Sequence, residues 1–115
     1  MKIVFNRIED VQILQNQVLV FFNFKNQLLN YKIYDKYCND LIAIENLEAI
    51  YKLLRNKIES NKSKLNINLT ISQSVVLYKC FLEIPTEKSK ETFVVMQNFG
   101  SQIDKNLLNI KSCNI

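Results

Sequence analysis

Val18-Leu19-Val20-Phe21-Phe22-Asn23-Phe24 places six large apolar side chains in seven residues, three of them Phe. Seven helical residues turn through about two full turns, so a helix here has no polar side to offer water. The segment needs cover around its whole circumference, from its own fold or from another chain. It therefore sets both the core and the first candidate for a contact surface.

Upstream of this stretch the pattern is amphipathic. Ile8, Val11, Leu14, Val18 and Phe21 or Phe22 fall on one stripe, while Gln12, Gln15, Asn16 and Gln17 hold the other face. That spacing predicts a first helix from about Arg7 to Leu29. Asn6-Arg7-Ile8-Glu9 has the form of a capping box, with Asn6 accepting from a free N–H of the first turn and Glu9 reaching back. Before it, Ile3-Val4-Phe5 is short and β-prone, and a strand is expected over 2–5.

Downstream, Tyr31, Tyr34 and Tyr37 interleave with Lys32 and Lys36 in a less regular connection. A second helix is predicted from Asn39 or Asp40 to Glu59, with Leu41, Ile44, Leu47, Ile50, Tyr51, Leu54 and Ile58 as its apolar stripe. Asp40 would then favour its N-terminus and Arg55 and Lys57 its C-terminus. Glu48 and Lys52 form an i,i+4 pair of the favourable orientation. After the polar run at 60–64, Leu65-Asn66-Ile67-Asn68-Leu69 alternates strictly, as a half-buried strand does. Thr70-Ile71-Ser72-Gln73 is a second capping box, opening a third helix to Leu82 that is expected to bury Val75, Leu77, Tyr78, Phe81 and Leu82. Pro85 ends it. Thr86 or Ser89 caps a fourth helix reaching Leu108, with Phe93, Met96, Phe99, Ile103 and Leu107 on its core face and Gly100 in mid-helix as a sign of close packing or a kink.

The expected fold is mainly α: one four-helix domain over 1–115, with a small two-stranded sheet from residues 2–5 and 65–69. An all-helical bundle with those two stretches as extended loops is the alternative. One Gly and one Pro in 115 residues argue against turn-rich all-β architectures. A 48% apolar content argues against disorder. The longest strongly apolar run is the seven-residue stretch, far short of the roughly 20 residues a membrane span needs. The residues after Met1-Lys2 form no apolar leader, and three widely spaced cysteines, Cys38, Cys80 and Cys113, read as reduced thiols. A cytoplasmic location without membrane contact is expected.

The chemistry-bearing inventory is thin. There is no His, which removes the commonest general acid–base group and the Ser-His-Asp and Cys-His arrangements. No glycine loop can cradle phosphate, and no C-x-x-C spacing marks a zinc site. Glu9-Asp10 and the Glu45–Glu48 spacing are the carboxylate pairs to weigh; the first reads as charge favouring a helix N-terminus and the second as a solvated face. Neither an enzyme nor a bound cofactor or metal is expected.

Two binding readings remain. In the first, the chain is a small protein-binding protein that occupies the surface of a larger protein, of the kind phage and mobile elements use as inhibitors. Its interface candidates are Val18, Leu19, Phe21, Phe22 and Phe24, and a symmetric homodimer is the first expectation. In the second, the net charge of +4 and pI of about 9.0 serve nucleic acid through Lys52, Arg55, Lys57, Lys62 and Lys64. The excess charge sits mainly in residues 61–90, at +3. That loop has no interspersed aromatics to stack on bases, so nucleic acid ranks second.

Overall fold

Ile3 and Ile67 face each other across an antiparallel pair of strands, β1 (Lys2–Val4) and β2 (Asn66–Asn68), with Lys2 opposite Asn68 and Val4 opposite Asn66. The computed structural model describes residues 1–30, 34–60, 65–84 and 89–110. The two-stranded pairing is longer than the strands themselves: the Phe5 N–H donates to Leu65 O (2.8 Å) and the Leu69 N–H to Met1 O (2.7 Å). Alternation puts Ile3, Phe5, Ile67 and Leu69 inside and Lys2, Val4 and Asn68 out. A sheet this small is marginal alone. Here Phe5 packs edge-on against Phe99, ring centroids 4.9 Å apart. Gln102 also closes the outer edge of β1, accepting from the Val4 N–H (2.8 Å) and donating to Val4 O (2.9 Å).

Four helices complete the fold: α1 (Ile8–Leu28), α2 (Tyr34–Glu59), α3 (Ile71–Glu83) and α4 (Lys90–Leu108). The expected capping box at Asn6 does not form. Phe5 stays extended to bond Leu65, so the chain turns one residue later and Arg7 becomes the N-cap, with no side-chain cap bond. Its guanidinium instead donates to Asp10 (2.9 Å) and to Glu91 of α4 (3.0 Å), tying the two helix starts together. Helix α2 begins five residues before the expected Asn39, which moves Asp40 from the helix start into its body, where it is buried.

The box at Thr70 does form: the Gln73 N–H donates to Thr70 Oγ1 (3.1 Å) and the Thr70 N–H to Gln73 Oε1 (3.0 Å). The buried face of α3 is Ser74, Leu77 and Cys80 rather than the expected Val75 and Leu82, both of which are exposed. Ser74 can be buried because its hydroxyl donates to Thr70 O (2.9 Å), leaving no unpaired polar atom. Ser89 caps α4, accepting from the Thr92 N–H at 3.1 Å, while the alternative cap Thr86, and Pro85 with it, lie outside the described residues. Met96, Phe99 and Ile103 take the expected core positions with Val95, and Phe93 is exposed instead. Gly100 has a steric reason: a Cβ there would stand 3.0 Å from the Phe81 ring.

Helices α1 and α2 form an antiparallel hairpin. One core runs through it to the sheet and α4, with Val11, Leu14, Val18 and Phe21 of α1 meeting Leu47, Ile50 and Leu54 of α2.

Candidate docking surface on the first helical hairpin

The fold splits the Val18–Phe24 stretch three ways. Val18 and Phe21 are completely buried, so these two interface candidates are core. Phe22 is half-buried against that core. Leu19, Val20 and Phe24 are 42%, 44% and 40% exposed, which leaves three large apolar side chains of one helix open to solvent. At about 100° per residue, Leu19 and Phe22 lie on one side of the solvent-facing row Gln12, Asn16 and Asn23, and Val20 and Phe24 on the other. Val20 belongs to the surface although the sequence singled out its neighbours. Only the buried stripe, centred near Leu14 and Phe21, decides which residues of an all-apolar turn are left over.

The Leu19 side faces α2. Leu19 and Phe22 together with Glu48 and Tyr51 line a groove of about 310 Å³. Along the exposed face of α2 beside it run Glu45, Glu48, Lys52, Arg55 and Glu59. Lys52 Nζ lies 3.1 Å from Glu48 Oε1, the i,i+4 pair the spacing predicts, and Arg55 Nε donates to Glu59 Oε1 at 3.1 Å. Such exposed pairs contribute only about 0.2–1 kcal/mol each, but they fix an ordered sequence of charge. From Val11 to Phe24, by contrast, α1 carries no charged residue.

The nucleic-acid candidates are not assembled into one face. Lys52 and Arg55 are each matched to a carboxylate, and Lys57 is half-buried on another side of α2, beside β2 in a cleft with Leu53 and Asn66. Lys62 and Lys64 lie outside the described residues, as do Tyr31 and Lys32. Of the carboxylate pair, Glu45 and Glu48 are both exposed and Glu48 is committed to Lys52.

One charged cluster was not visible in the sequence. Lys25 of α1 reaches Asp40 Oδ1 of α2 (3.4 Å) and Glu83 Oε2 at the end of α3 (3.7 Å). Asp40 is nearly fully buried and Lys25 mostly so, which makes this pair a tie between the last turns of α1 and the body of α2 rather than a solvated bridge. Asp40 Oδ2 has no hydrogen-bond partner among the described residues. Residues 25, 40 and 83 share no sequence period, so only the packing of three helices brings them together. Cys80 is buried nearby, and desolvation pushes its thiol up to about 11, away from nucleophile behaviour. Cys38 is exposed, and Cys113 lies outside the described residues. Among the described residues no three His, Cys, Asp or Glu groups converge as a metal site, and no helix is long and apolar enough to cross a membrane.

No protein-family model, curated protein or solved structure matches the chain.

Proposed function

We propose that this chain is a non-catalytic protein-binding protein that works by occupying a surface of a larger protein. The observation that supports this reading is the trio Leu19, Val20 and Phe24, each at least 40% exposed on one helix whose other apolar residues are buried or half-buried. Scattered single apolar residues on a surface need no explanation. Three in six residues, with only neutral Asn and Gln between them on the exposed face, give that face a low-charge apolar character of the kind that binding faces use. An inhibitor acting by blockade needs nothing more than such a face on a stable scaffold.

Val20→Asp and Phe24→Asp test the reading. Each should keep the helical circular dichroism and a cooperative urea transition, because neither side chain fills the core. Each should remove the adducts that formaldehyde traps on the wild-type chain in the cells that make it. Adducts that persist unchanged with both substitutions would overturn the proposal.

A further inference from the structure

We infer that the α1/α2 groove is closed by a second copy of this chain, its α2 lying antiparallel on the first. The inference rests on the protein-binding reading above and names one partner of that face. Two independent parts of the groove carry the same two-fold symmetry.

The first is charge. On the exposed face of α2 the charged order is Glu45, Glu48, Lys52, Arg55, Glu59, of which Glu59 already pairs with Arg55 and falls opposite the exposed Leu41 of the other copy in the arrangement that follows. A two-fold axis crossing α2 at Ile50 brings Glu45 opposite Arg55 of the other copy and Glu48 opposite its Lys52. An isologous contact repeats each match, so four opposite-charge pairs form and no like-charge pair does. The existing Glu48–Lys52 pair is exposed and weak, so sharing it across copies costs little.

The second is the apolar groove. Leu19 and Phe22 straddle the midpoint of α1's exposed apolar turn, and they line one groove with Glu48 and Tyr51. The midpoint of the apolar pair therefore lies level with the midpoint of the charge pattern, within about one residue. The axis that pairs the charges on α2 also sets Leu19 against Phe22 of the other copy on α1. The alternative two-fold, running along the helices, would lay the charged row of α2 on α1, which has no charge from Val11 to Phe24 to answer it.

Size is sufficient. From Leu41 to Glu59 the face is about 27 Å long, and two adjacent helices make it about 20 Å wide. The total buried area is then on the order of 1,000 Å², the lower bound for a specific contact. Val20 and Phe24, on the other flank of α1, stay free for a further protein.

The test is a charge exchange read by sedimentation equilibrium. E45K/E48K makes the row basic, and K52E/R55E makes it acidic. All four positions are solvent-exposed, so both variants should fold. Wild type should show twice the 13.6 kDa chain mass with a monomer at high dilution. Each variant alone should dissociate about a hundredfold more readily, and an equal mixture should regain the dimer as a mixed pair. A wild type that stays at 13.6 kDa at every concentration overturns the second copy, as do variants that dimerise alone as well as wild type. The formaldehyde adducts would be unaffected by either result if a foreign protein holds the Val20 and Phe24 flank, so failure of the dimer and failure of the binding reading are separable.

Discussion

Truncating Phe21 should cost far more than truncating Phe24, although the two lie three residues apart in one apolar run. Phe21 has no exposed surface and sits among Val18, Leu47 and Ile50 in the core. Phe21→Ala loses the transfer energy of a buried ring and leaves a cavity between two helices, about 3–5 kcal/mol in all. A chain of this length holds roughly 6–17 kcal/mol in total, so the variant keeps a fold but a weak one. With a urea slope near about 2 kcal/mol/M, the midpoint should fall by about 2 M at unchanged slope. Phe24 is already 40% exposed. Phe24→Ala forfeits only part of a side-chain burial worth about 1.5–3 kcal/mol and opens no closed cavity, so its loss should stay below about 1.5 kcal/mol. Urea unfolding followed at 222 nm, at one low protein concentration, measures both. Equal costs for the two variants would refute the division of α1 into core and surface.

Further substitutions test the joints of the fold. Thr70→Ala should lose about 1 kcal/mol in the same assay, since it removes the hydroxyl half of a formed capping box, whereas Asn6→Ala should stay within about 0.5 kcal/mol because Asn6 caps nothing. Lys25→Met leaves the buried Asp40 carboxylate unpaired and should cost about 3 kcal/mol, most of it recovered when combined with Asp40→Asn. Gly100→Val drives a branched side chain toward the Phe81 ring and should cost about 1–3 kcal/mol in a thermal melt, against no change for the exposed neighbour in Ser101→Ala. Cys80 ionises near 11 when folded and near 9.0 when not, so its burial favours the fold below about pH 9, and that contribution should fade as the pH rises through 11. Urea midpoints of wild type and Cys80→Ala across that range should converge at the alkaline end.

Much of the fold was legible because local signals and packing agreed. The box at Thr70 survives in the structure because it satisfies its own backbone without help from distant residues, and strict alternation at 65–69 survives because its apolar side meets the core while its backbone pairs with β1. Where long-range contacts compete, the local reading failed. Asn6 has the right residue for a cap, but the Phe5–Leu65 bond shifts the turn past it. On α3, hydrophobicity pointed to Val75 and Leu82, and the helix instead turns its small residues Ser74 and Cys80 inward to admit close neighbours. The early start of α2 was hidden because tyrosines recurring every three residues at 31, 34 and 37 fit a single helical turn in a connection as well as the start of a long helix. The candidate surface was half legible. An apolar run with no polar side announces that something must cover it, but only the burial of Phe21 and Val18 shows which flanks remain. The Lys25–Asp40–Glu83 tie was illegible, being a product of three helices packing together.

The most direct test of the central claim is photo-crosslinking with a benzophenone side chain placed in turn at positions 24 and 105 of otherwise wild-type chain, in the cells that make it. Position 24 is on the exposed apolar flank of α1 and position 105 is on the charged outer face of α4, both open to solvent. A discrete adduct from position 24, absent at 105 and lost when Val20→Asp is added, is the predicted result. Equal labelling from both positions, or none from either, would contradict it.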